Sequence, residues 1–121
     1  MNKFDLEERL VDFSVMIIKL ANTFEQNKAG NHFAGQIIRS GTSVSLNYGE
    51  AQSAESRKDF IHKIKIILKE LRETLISLKI IRKAELTSDS ESLNNLIKEN
   101  DELISIFEFN QPIRKKSINP V

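Results

Sequence analysis

Residues 38–60 read IRSGTSVSLNYGEAQSAESRKDF, and this stretch decides the fold. It is polar and rich in small residues, yet it lies between two strongly apolar helical patterns. Phe33, Ile37, Gly41, Val44, Tyr48 and Ala51 fall on one line at helical spacing. Arg39, Ser43, Asn47 and Glu50 fall on another, within about 80° of one another on a helical wheel. Each glycine inside a helix costs ~1 kcal/mol relative to alanine. This helix, placed at about 32–51, therefore has to be held by tertiary packing, with glycines that admit a neighbouring backbone. Arg39 and Glu50 are three turns, ~16 Å, apart along the axis and cannot pair with each other. Either the face is solvated, or each charge meets a partner on another helix or subunit.

Outward from this segment, three more helices follow from periodicity. The first runs from about Asp5 to Gln26 on the stripe Leu6, Leu10, Phe13, Ile17, Leu20, Phe24. Gly30 reads as its C-terminal stop and Asn31 as the cap of the next helix. The third runs from about Glu55 to Ala84, with Phe60, Ile64, Ile67, Leu71, Leu75, Leu78 and Ile81 inward and Ser56-x-x-Asp59 as a capping pair. The fourth runs from about Asp89 to Phe109, with Leu93, Leu96, Ile97, Leu103, Ile104 and Phe107 inward and Ser88-x-x-Glu91 as a capping box. Short connections favour antiparallel neighbours. The expected fold is all-α, an up-down-up-down four-helix bundle over residues 1–110, followed by a flexible basic tail at 111–121 that contains two prolines.

The chain has 121 residues and no cysteine, which excludes disulfides, thiolate metal sites and a cysteine nucleophile. No apolar run reaches the ~20 residues of a membrane span, and the first residues carry acids where a secretory signal needs an apolar stretch. A cytoplasmic protein is expected. The two histidines, His32 and His62, do not follow a glutamate by three positions, so the Glu-x-x-His pattern of di-iron bundles is missing. There is no phosphate loop or dinucleotide fingerprint. The serines at 40, 43 and 45 have no histidine near them in sequence. We expect no enzymatic activity, no metal and no cofactor.

The net charge of +1 hides segregation: residues 57–83 carry nine basic and three acidic groups, whereas residues 84–109 carry one basic and seven acidic groups. Lys58, Lys65, Arg72 and Lys79 recur every seven residues, and Lys69 and Lys83 fall beside them. All six lie within about 80° on the wheel, clear of the apolar face. A row of this kind suits a polyanion, because each cation near a phosphate releases a counterion. The alternative is that Glu91, Glu99, Asp101 and Glu102 lie alongside and neutralise the row. Asp59 and Glu70 read as ion-pair partners, Asp59 with Lys63 four positions on. Val11, Val15 and Ile18 form a second apolar line on the first helix, and Ile66, Ile76 and Ile80 lie off the core face of the third. They belong either to a broad core or to a subunit interface.

Residues 39–74, RSGTSVSLNYGEAQSAESRKDFIHKIKIILKELRET, resemble the bacterial four-helix-bundle family named for the intervening sequences of 23S rRNA genes. The resemblance rests on Arg39, Ser40, Ser43, Asn47, Gly49, Glu50, Ser56, Lys58, Asp59, Phe60, Glu70 and Glu73. The chain reads Gly49-Glu50 where many relatives have Glu-Gly. The resemblance implies a ring-shaped homopentamer without enzymatic activity. It extends to the accessory proteins of diversity-generating retroelements, which bind nucleic acid and a reverse transcriptase. The expected partners are thus further copies of the chain, RNA or other nucleic acid, or a reverse transcriptase or other protein. A protein-binding scaffold without nucleic-acid contact is the alternative. Lys58, Lys65, Lys69, Arg72, Lys79 and Lys83 are the candidate phosphate contacts. Val11, Val15, Ile18, Arg39, Ser43, Asn47, Glu50, Asp59, Glu70 and Glu73 are the candidate structural or interface residues.

Overall fold

The structure is a computed structural model that describes residues 2–110; the tail expected at 111–121 lies outside the described residues. Four helices follow one another: α1 (Lys3–Ala21), α2 (Lys28–Gln52), α3 (Arg57–Lys83) and α4 (Ser90–Asn110). Each helix packs on its neighbour in sequence, and α4 closes on α1. This is the antiparallel four-helix bundle that the periodicity predicts. It leaves α1 and α3 at opposite corners.

Side-chain caps set the starts. The Asn2 side chain accepts hydrogen bonds from the backbone N–H groups of Phe4 and Asp5, and Ser56 Oγ accepts from Asp59 N–H. Each satisfies donors that have no partner within the first turn. Two expected boundaries differ. Helix α1 stops at Ala21, and α2 begins at Lys28, capped by Asn27, whose Oδ1 accepts from Gly30 N–H at 2.8 Å. Gly30 is therefore not a stop but part of the first turn of α2. A Cβ there would lie 1.9 Å from the carbonyl oxygen of Glu25, so the turn admits only glycine. The stripe residue Phe24 is still buried, but from the connection, where Glu25 N–H donates to the Leu86 carbonyl and links two loops. At α4 the cap is Asp89, whose Oδ1 accepts from Ser92 N–H, rather than the Ser88–Glu91 box. Helix α3 ends with Glu85 at φ 55°, left-handed, which lets Leu86 N–H reach back to the Ile81 carbonyl.

The core runs the length of the bundle. Leu10, Phe13 and Ile17 of α1 meet Ile37 and Val44 of α2, Ile67, Leu71, Leu78 and Ile81 of α3, and Leu96 and Leu103 of α4. Polar contacts stitch two seams. Ser14 and Ser45 hydroxyls share a 2.7 Å hydrogen bond between α1 and α2, and those of Ser40 and Thr74 share another between α2 and α3. A Cβ at Gly41 would stand 2.8 Å from Ile17 Cγ1, so this glycine sets how closely α1 and α2 approach.

Candidate nucleic-acid interface

All six residues of the basic row are exposed: Lys58, Lys65, Lys69, Arg72, Lys79 and Lys83. The helical rise puts Lys58, Lys65, Arg72 and Lys79 about 10.5 Å apart along α3. Arg72 alone among the six forms an ion pair with a described residue, Glu108 of α4. Lys69 lies close enough to Glu73 to help draw its carboxyl down. Apart from Glu108, no acid of α4 forms an ion pair with the row among the described residues. Glu99 and Glu102 turn instead to Arg9 of α1. Its Nε meets Glu99 at 2.7 Å and its Nη2 reaches Glu102 at 2.9 Å. Arg9 is held still more firmly protonated by its hydrogen bonds to Glu99, against the opposing effect of burial. The remaining acids, Glu91 and Asp101, are exposed.

The row is not purely cationic. Ile76 and Ile80 are 57% and 43% exposed, and on the wheel Ile76 falls within the row, with Ile80 beside it. Ile66 is half-buried, and His62 is exposed.

The polar face of α2 turns out to be a seam with α3. Arg39 donates to Glu70 at 3.1 Å and to both oxygens of Glu73, at 2.6 and 2.9 Å, while Gln36 donates to Glu73 as well. Burial pushes the Glu73 carboxyl up, but the Arg39 hydrogen bonds and charge outweigh it and leave the carboxyl below its ordinary value. Glu70 is the buried member of this cluster. Glu50 pairs with Lys63 of α3, so Lys63 does not bond Asp59, and the expected pair within α3 is replaced by one between helices. Asp59 is exposed at the capped end. Asn47 donates to the Ser43 carbonyl and to its hydroxyl, both at 2.9 Å, and so stays within α2. Val11, Val15 and Ile18 are outside the core, each a little over 40% exposed.

Periodicity alone misses two residues. Arg9 is visible in sequence only as one charge on a mixed helix, although the i, i+3 spacing of Glu99 and Glu102 marks a place for one cation between them. Asn100 sits on the core stripe of α4 between Leu96 and Leu103. It is fully buried, and among the described residues neither its Oδ1 nor its Nδ2 has a hydrogen-bond partner. One cleft of about 430 Å³ opens at the bundle end, where Leu6, Tyr48, Phe60, Ile64 and Phe107 form apolar walls. Burial, and next the charge of Glu7, raise the Tyr48 hydroxyl above its ordinary pKa, so the cleft presents a neutral phenol. No grouping of acids and histidines able to hold a metal is found among the described residues, and no helix there is long and apolar enough to cross a membrane.

The model of the 23S rRNA-intervening sequence protein family matches residues 2–108. Among solved structures, the chain is similar to a protein of unknown function from the S23 ribosomal protein family of Bacteroides thetaiotaomicron. The two are 30% identical with a TM-score of 0.75, over 84% of this chain and 93% of that one. No curated protein matches.

Proposed function

Because this chain belongs to the 23S rRNA-intervening sequence protein family, we propose that it works as a non-enzymatic cytoplasmic bundle, assembled as a pentamer, that binds RNA or structured nucleic acid through the cationic face of α3. The observation that carries this reading is the diversion of Glu99 and Glu102 to Arg9. That contact leaves the row on α3 exposed and, Arg72 apart, without ion pairs among the described residues. The row has no aromatic side chain among its cations on which a base could stack. Recognition would therefore go to phosphates and shape rather than to base edges.

The test is affinity for a generic RNA hairpin, read by fluorescence anisotropy across a salt series. The variant is Lys65→Glu with Lys79→Glu; Arg72 is left alone because its reversal would strand Glu108. Affinity should fall steeply with salt in the native protein. The double variant should bind about tenfold more weakly or worse at moderate salt, with an unchanged melting curve. Equal affinity for the two proteins would remove α3 as the interface.

A second reading has its own support in Ile76 and Ile80. Exposed isoleucines gain nothing from a polyanion, whereas a protein partner with acidic and apolar groups would bury them. A reverse transcriptase, the partner implied by the retroelement resemblance, is one such protein. Salt-tolerant capture of the partner, lost on Ile76→Asp, would favour this reading over the first.

A further inference from the structure

We infer that the apolar cleft at the end of the bundle takes an unpaired nucleobase of an RNA whose phosphates lie along α3. Resting on the reading of α3 proposed above, this extends recognition from backbone to base. The first observation is where the aromatic residues gather. Of seven phenylalanines and one tyrosine, Phe4, Tyr48, Phe60, Phe107 and Phe109 stand at the end where α1 and α3 begin and α2 and α4 finish. All of these but Phe4 line the cleft, whose volume of about 430 Å³ falls within the ~300–1,000 Å³ of small-ligand pockets.

The rings are graded in depth. Tyr48 and Phe107 are buried and meet edge to face, their centroids 5.9 Å apart; they make a packed floor. Phe60 is half-buried. Phe109 stands at the rim, 71% exposed, with most of its ring surface open for stacking. Every base has a π-face that such a ring can hold. The polar groups narrow the choice of occupant. Asn2 and Lys3 also line the cleft and supply N–H donors. The charge of Glu7 reaches the Tyr48 hydroxyl, and its carboxylate is an acceptor that would repel a phosphate. Asp5 and Asp59, exposed at the same end, act likewise. A hydrocarbon gains nothing from these groups, whereas a neutral base carries both donors and acceptors on its edge.

The second observation is continuity with the basic row, which begins at this end with Lys58. Phe60 and Lys58 are about 160° apart around α3, and Arg57 falls between them. Lys3, Arg57 and Lys58 are exposed, and none has an ion pair among the described residues. A strand that follows the row can therefore pass from Lys58 to Arg57, round the first turn of α3, and reach the cleft. The row grips the backbone but has no ring to offer; the cleft supplies the rings. Bases within a duplex are stacked inside it, so the occupant has to come from a single-stranded end, loop or bulge.

The test compares a blunt RNA duplex with the same duplex bearing a short unpaired 3′ extension that contains 2-aminopurine. The native protein should bind the extended duplex about tenfold more tightly and quench the 2-aminopurine fluorescence. Phe109→Ala changes an exposed side chain. It should abolish the preference and the quench, while the melting curve and the affinity for the blunt duplex stay as they are. Equal native affinity for the two duplexes, a 2-aminopurine that stays bright when bound, or a quench that survives Phe109→Ala would overturn the inference and leave the α3 reading standing. Binding to neither duplex would overturn both.

Discussion

Asn100 occupies a core position that Leu96 and Leu103 show to be suited to an aliphatic side chain. A buried amide without partners carries its desolvation cost uncompensated, about 1–3 kcal/mol. Asn100→Leu should therefore raise stability by about that amount in urea denaturation; a loss of stability would mean that the amide is satisfied in solution. Glu73 gives a prediction with a pH sign. Its folded carboxyl lies below the ordinary value of 4.5, so its stabilising contribution is present above pH 4.5 and is lost as pH falls through the folded value. Denaturation midpoints measured from pH 7 down to pH 3 should drop more steeply for the native protein than for Arg39→Gln, which has no charge to hold the carboxyl down. Parallel curves would show that Arg39 does not set this titration.

At the scale of the element, α2 is the helix that the bundle has to hold. Its four glycines have different reasons. Gly41→Ala would drive a methyl group into three atoms of Ile17, all within 3.1 Å, and Ile17 is fully buried and branched. A loss of about 1–3 kcal/mol is expected. Gly35→Ala meets open space and should instead gain up to ~1 kcal/mol of helix stability in a monomeric background. Thermal melts of the two variants should shift in opposite directions; a common direction would refute the assignment of Gly41 to close packing.

Across the whole molecule, the boundary between what was legible and what was not follows the range of the interactions. Helical order, the core stripes and the Ser56 cap could be read because they depend on residues three or four apart, and a 3.6-residue repeat exposes them. Arg39 was legible as a charge requiring a partner, but not Glu70 and Glu73 as that partner, because the register of α2 against α3 is a tertiary fact. The start of α2 was misplaced for the same reason: Gly30 resembles a stop signal until the Glu25 carbonyl is seen beside it.

Four amphipathic helices, their antiparallel order and the concentration of positive charge on one face of α3 follow from the residue pattern alone. Where the acids of α4 go depends on how the helices pack. Charges attract over several ångströms without regard to sequence distance, so two helices with opposite totals could have neutralised each other. Packing instead set Arg9 between Glu99 and Glu102, across the seam of α1 and α4, and left the lysines of α3 facing solvent.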